Sequence, residues 1–257
     1  MIRRCAQPDE EALEAALRSD VANSLFVLAD LALYGVSGRN VTVYVEENSD
    51  GGIEGVGLFY FSSLILAGRF GLPELCEAPE FAAVRTVMGR SDLIEALDLS
   101  EEKWRKRVSA LRMLRSADLR FEPVEGGACA EAGDVDEIHR FLMSFSHLRA
   151  AYGDREMLAQ RIASGEGVHL LLKERGVLVA HVNSAARYGD NFMIGGLAVE
   201  ASRRGRGLAK GMVAALVERS ECPDCRFYVL DGEEAGDSLF AQLGFSRVST
   251  WTIARSS

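Results

Sequence analysis

The residues best equipped for chemistry lie in one short stretch of the chain. Three arginines and two glycines, Arg203-Arg204-Gly205-Arg206-Gly207, stand between an apolar run, Gly195-Gly196-Leu197-Ala198-Val199, and a segment in which Leu208, Met212, Val213 and Leu216 recur at helical spacing. The order reads as strand, flexible basic turn, helix. Glycines without a Cβ let the backbone close on an anion, and the amides that open a helix carry the positive end of its dipole. The stretch therefore predicts a cradle for the phosphates of a ligand.

Further elements follow in a fixed order. Arg226-Phe227-Tyr228-Val229-Leu230 is a strand candidate, and Ser238-Leu239-Phe240-Ala241-Gln242-Leu243-Gly244-Phe245 follows it. The segment Arg204-Gly205-Arg206-Gly207-Leu208-Ala209 resembles the Arg/Gln-x-x-Gly-x-Gly/Ala pyrophosphate loop of the GNAT superfamily of acyl-CoA-dependent N-acetyltransferases. The stretch from Ser238 to Phe245 resembles the Leu-Tyr-x-x-x-Gly-Phe segment that closes most such domains. The specific likeness runs from Phe192 to about Val248, and beyond that it is a likeness in the order of elements.

The resemblance implies an α/β fold of mixed α+β sheet type, with a central mixed β-sheet flanked by helices, and acetyl-CoA as co-substrate with no metal. Main-chain groups of Leu197, Ala198 and Val199 would hold the pantetheine arm, which binds rather like an added strand. Amides from Arg204, Gly205, Arg206, Gly207, Leu208 and Ala209 would hold the diphosphate, with the Arg204 and Arg206 side chains adding charge-assisted contacts. Phe240 would lie beside the cofactor. The implied activity is direct acetyl transfer to a primary amine, on a small molecule or a peptide. The alternative is a non-catalytic acyl-CoA sensor that kept the cradle.

Catalysis is where the chain departs from the family's pattern. Such transfer needs a neutral attacking nitrogen, a polarised thioester carbonyl and a proton for the leaving thiolate. The tyrosine that often supplies that proton is here Phe240, and the usual strand glutamate has no counterpart between Met193 and Gly196. His181 has a suitable ordinary pKa for a base, or is structural. Asp231 and Glu233, at the end of the strand candidate Arg226–Leu230, can act through a water or cap a helix. Ser238 can donate to a thiolate or face solvent, and His147 and Tyr152 are candidates to line the acceptor pocket. Direct attack needs no protein nucleophile, and no serine elbow is present. A nucleotide-binding alternative meets neither a Gly-x-x-x-x-Gly-Lys-Ser/Thr motif nor a dinucleotide fingerprint.

Composition sets wider bounds. The chain has 257 residues, is 48% hydrophobic, and carries a formal net charge of -9, which disfavours nucleic acid as a partner and tolerates a cationic amine. The opening residues turn acidic at once without an apolar core, and the most apolar stretch, Val21 to Val36, is short and holds Asn23 and Asp30. Neither a signal peptide nor a membrane partner is expected. Five scattered cysteines fit a reducing cytoplasm; Cys222-Pro223-Asp224-Cys225 reads as a helix-to-strand turn, with a metal or redox site as the alternative.

The elements that must position the cradle form two halves of similar order. In the first, Asp9 is expected to cap a helix bearing Leu13, Ala16 and Leu17, a second helix runs from about Ala22 to Leu33, and a hairpin joins Val41–Val45 to Ile53–Phe61, with Leu64–Leu66 continuing. In the second, a strand spans 127–132, Asp134 caps a helix carrying Ile138, Phe141, Leu142 and Phe145, and another helix covers about 154–163. Strands at 168–172 and 177–186 form a hairpin, and the strand 191–199 leads to the cradle. The first half shows no phosphate-loop pattern at Ala67 to Pro73, so it reads as a degenerate GNAT-like domain over 1–118, with the acetyl-CoA-binding domain over 119–257. The oligomeric state expected is a monomer or a homodimer.

Overall fold

The computed structural model describes residues 2–38, 40–69, 71–165, 167–232 and 238–256. In chain order the elements are β1 (Ile2–Arg4), α1 (Glu10–Arg18), α2 (Val21–Tyr34), β2 (Val41–Glu47), β3 (Ile53–Tyr60), β4 (Ser63–Gly68), β5 (Thr86–Arg90), α3 (Ser91–Glu95) and β6 (Trp104–Arg115). There follow β7 (Ala128–Cys129), α4 (Val135–Met143), α5 (Arg149–Tyr152), α6 (Arg155–Ser164), β8 (His169–Glu174), β9 (Val177–Tyr188), β10 (Asn191–Val199), α7 (Leu208–Glu218), β11 (Arg226–Gly232), α8 (Leu239–Gln242) and β12 (Ser246–Ser256). No helix among the described residues is long and apolar enough to cross a membrane.

Two compact units result. One comprises 1–112, 230–236 and 247–257, the other 113–229 and 237–246. This division differs from a single cut between 118 and 119 because β12 pairs antiparallel with β5, from Trp251 opposite Arg90 to Arg255 opposite Thr86. The indole of Trp251 is fully buried, and its N–H donates to Asn23 Oδ1 on α2 at 2.9 Å. The last strand is thus core material of the first unit.

Both units repeat one pairing scheme. In the first, β1 to β4 are successively antiparallel and β4 runs parallel to β5. In the second, β7 to β10 are successively antiparallel and β10 runs parallel to β11. Each has helices between its first and second strands. The aspartates expected as caps are used alike: Asp9 and Asp134 have helical backbone themselves and do not cap α1 and α4, but accept from the N–H of Ala6 and Glu131 at 2.8 and 2.9 Å. Asp20 and Asp154 do cap the following helices, α2 and α6. The units part at the parallel crossover: β10 and β11 are joined through α7, whereas β4 and β5 are joined through two 3-10 turns, Pro73–Glu77 and Pro79–Ala83, each opened by a proline.

Helices cover both faces of the second unit's sheet. Leu170 and Leu172 of β8 join a core with Met212, Val213 and Leu216 of α7, while Leu171 joins another with Ile138 and Leu142 of α4 and Leu158 of α6. That is the period-2 alternation of a strand buried on both sides. On β10 the alternation breaks. Phe192 and Ile194 belong to the α7 core, but Ala198 joins the opposite core and Val199 returns to the first. The cause is a bulge: Gly195 lies opposite Asn183 and Ala198 opposite His181, so three steps on β10 match two on β9.

Candidate functional site

The basic turn and the first turn of α7 enclose a cavity of about 440 Å³, lined by Val199, Arg203, Arg204, Gly205, Gly207, Leu208, Ala209, Lys210 and Leu239. Six of these are cradle residues named from the sequence. Gly205 and Gly207 have φ of +74° and +77°, the left-handed region that an L side chain resists. Gly207 is the N-cap of α7 and has no side chain to satisfy the helix's first amides; no acidic residue occupies the first turn. Those amides are left for an external anion.

Charge around the cavity is partly compensated. Glu174, at the end of β8, lies 3.2 Å from Arg203 and 3.5 Å from Arg206. Arg206 accordingly points to Glu174 and does not line the cavity. Arg204 donates from Nε to the carbonyl of Val199 at 3.2 Å. This occupies the Val199 carbonyl, one of the main-chain groups expected to be open to a pantetheine arm, and fixes the guanidinium beside the strand end. Lys210 extends over the Phe121 ring, 4.8 Å from its centroid.

Other expected site residues have different places. Leu197 and Phe240 pack on the α7 core together with Leu208, Ala209 and Leu239. Phe240 meets Phe245 edge to face at 5.5 Å. Ala198 faces the opposite core. Ser238 is buried and caps α8, its Oγ accepting from the N–H of Ala241 at 3.0 Å, so it does not face solvent. Asp231 belongs to the first unit, ion-paired to Arg112 at 2.8 Å. Glu233 lies outside the described residues.

His181 is fully buried. Its Nδ1 lies 2.7 Å from the Gly196 carbonyl oxygen and its Nε2 3.0 Å from His169 Nδ1. Burial pushes the pKa of His181 down to about 4 and, helped by the His181 ring and the Arg161 charge, that of His169 to about 3. With both ring nitrogens engaged, His181 has no lone pair to offer an amine, which does not suit the base expected of it. Tyr152 is likewise turned inward, its hydroxyl donating to Asn183 Oδ1 at 2.8 Å, and desolvation pushes its pKa up to about 12.

At the far end of β11, Cys222 and Cys225 form a disulfide. Asp190 comes near, the three potential ligand atoms lying within 4.8 Å of one another, but bonded sulfurs offer no thiolate to a metal. The segment does connect α7 to β11 as a turn, but its two cysteines are paired, which corrects the expectation of five free thiols. Its backbone is pinned by Ser116, whose N–H donates to the Cys225 carbonyl and whose Oγ donates to the Cys222 carbonyl, both at 2.8 Å.

Sequence reasoning passed over Glu174, Lys210, His169 and Asn183. Glu174 and Arg203 stand 29 positions apart in sequence, and His169 meets His181 across two strands; neither proximity is local.

Residues 134–245 match the model of the acetyltransferase (GNAT) family. No curated protein matches the chain. Among solved structures, the chain is similar to a GCN5-related N-acetyltransferase from Kribbella flavida, at 18% identity and a TM-score of 0.61, covering 94% of this chain and 95% of that one. It is similar to a tandem GNAT protein from the clavulanic acid biosynthesis pathway, at 13% identity, TM-score 0.61, covering 100% and 98%. A Drosophila protein aligns with a TM-score of 0.71 at 14% identity, covering 100% and 98%.

Proposed function

We propose that the protein is an acetyl-CoA-dependent N-acetyltransferase acting on a primary amine, a reading supported by the match of residues 134–245 to the model of the acetyltransferase (GNAT) family. The observation that carries this reading is the cavity at the start of α7, where left-handed glycines, uncapped amides and basic side chains meet an apolar wall of Val199, Leu208 and Leu239. A phosphate-bearing ligand with an apolar arm fits both halves of that lining. Acyl-CoA supplies an activated acyl group, whose transfer forms an amide bond and releases the thiol.

The chain's own residues bind and orient. The first amides of α7 and the side chains of Arg203, Arg204 and Lys210 neutralise phosphate charge, and β10 leads from the cavity to the bulge at Gly195–Ala198. Holding two reactants in register lowers a bimolecular barrier by about 7–11 kcal/mol in favourable cases. Transfer is therefore compatible with Phe240 in the place of the family's usual proton donor.

Phe240 also motivates a second reading, an acyl-CoA-binding protein without turnover. Calorimetric titration with acetyl-CoA, followed by thiol-release assays on a panel of primary amines, separates the two. The leading reading expects saturable binding that folded Arg204→Glu and Gly207→Asp variants lose, and thiol release with at least one amine. Binding without thiol release from any amine class would favour the second reading. A folded wild type that binds no acyl-CoA would end both.

A further inference from the structure

Two buried imidazoles and one strand bulge are connected in series. The carbonyl oxygen of Gly196 can only accept, so His181 Nδ1, 2.7 Å away, carries the proton of that hydrogen bond. Neutral His181 then has a lone pair at Nε2, and His169 Nδ1 donates to it across 3.0 Å. One carbonyl thus dictates the tautomers of two rings. Both histidines are less than 5% exposed. Around them lie the Arg161 charge, which acts on His169, and the Tyr152–Asn183 hydrogen bond.

The bulge needs such a restraint. Gly195 and Gly196 are consecutive, Gly196 has φ +55°, and two glycines in a row allow several orientations of the peptide that follows. Close neighbours disfavour any other residue at 196: a Cβ there would stand 2.5 Å from Asn183 Oδ1, 2.8 Å from His181 Cε1 and 2.9 Å from the Tyr152 hydroxyl, so these side chains would have to shift. In a planar trans peptide the C=O and the following N–H point in opposite directions. Whatever grips the Gly196 carbonyl therefore aims the amide of Leu197.

We propose that His181 is a positioning residue: by holding the Gly196 carbonyl it fixes the plane of the Gly196–Leu197 peptide and directs the Leu197 N–H at the acyl carbonyl of a bound thioester, while His169 locks the ring. The inference rests on the acyl-CoA reading. Leu197 lies on β10 two residues before Val199, which lines the cavity, so its peptide is on the strand that leads there. A preoriented amide stabilises charge that develops on a carbonyl oxygen without reorganising during the reaction.

The test is difference infrared spectroscopy of acetyl-CoA labelled with carbon-13 at the thioester carbonyl, with CoA affinity measured in parallel by calorimetry. Wild type is expected to shift the carbonyl stretch to lower frequency and to prefer acetyl-CoA over CoA. His181→Leu is expected to return the band toward that of free ligand and erase the preference, with CoA affinity held within about threefold, the scale of one modest hydrogen bond. His181→Asn, whose amide nitrogen stands near the place of Nδ1, is expected to keep most of the shift. A folded His181→Leu protein with the wild-type shift would overturn the proposal. Should that variant fail to fold, long-range proton–nitrogen spectra of ligand-free wild type decide: both rings must be protonated at Nδ1, and a His181 protonated at Nε2 would overturn it. A wild type that binds no CoA removes the acyl-CoA reading first, and this inference with it.

Discussion

Glu174 Oε2 lies 3.2 Å from the guanidinium of Arg203, so a carboxylate competes with any phosphate for the basic turn. Arg206 is held by the same carboxylate. Glu174→Gln should release Arg206 and leave Arg203 with only its longer 3.8 Å pairing to Glu200, tightening acetyl-CoA binding by about 2–5-fold at low salt, the worth of a partly exposed ion pair. Raising the salt should shrink the gain. Unchanged or weaker binding in titrations at both salt concentrations would show that Glu174 does not restrain the cradle.

Gly196→Ala should be costly for reasons independent of any ligand. The left-handed φ and the contacts of 2.5 and 2.8 Å that its Cβ would make add up to a loss of about 2–4 kcal/mol. Urea unfolding measures it. A loss below about 1 kcal/mol would mean that the bulge relaxes freely.

The histidine pair predicts a pH dependence with a definite sign. Folded-state values of about 4 for His181 and about 3 for His169 lie below the unfolded value near 6.5. Between these limits the unfolded chain binds protons that the folded one refuses, so stability rises with pH. It is fully present above about pH 6.5, declines as pH falls below that value, and is fully lost once pH has fallen through about 4 for His181 and about 3 for His169. Each ring contributes a slope of up to about 1.4 kcal/mol per pH unit. Urea midpoints should fall between about pH 7 and pH 5 by an amount equivalent to about 2–4 kcal/mol, and His169→Gln should flatten the curve. A flat wild-type profile would contradict the burial of the pair.

Thiol counting checks the disulfide. Without reductant, the denatured protein should show three reactive thiols, from Cys5, Cys76 and Cys129, and five after reduction. In the native state Cys129 should react first, because it alone is exposed. The closed loop is short, so reduction should cost only about 2 kcal/mol by loop entropy.

The cradle was legible because all its parts are consecutive: strand, glycine-arginine turn and amphipathic helix follow one another within 25 residues of chain, from Phe192 to Leu216. The hairpins of the first unit, and β8 with β9, were legible through alternation and turn residues. Whatever depends on register was not. The bulge on β10 changes which face each residue takes, and no local pattern announces it. Asp9 and Asp134 show a subtler limit. The residue type suits a cap, yet a preceding 3-10 turn puts each aspartate inside the helical backbone and turns its carboxylate back toward the upstream amide. β12 escaped for another reason. Its run Val248-Ser249-Thr250-Trp251-Thr252-Ile253 is rich in β-branched and aromatic residues, but nothing local says that its partner is β5, some 160 positions earlier.

That last pairing dictates a sequence of events during synthesis. The first unit waits for Trp251 to reach Asn23 and for β12 to reach β5. The segment 113–229, by contrast, needs only the stretch 237–246 to complete its unit. A nascent chain would thus carry an unfinished first unit until β12 has been made, with the edge of β5 exposed on the ribosome. The half made first is the half that finishes last.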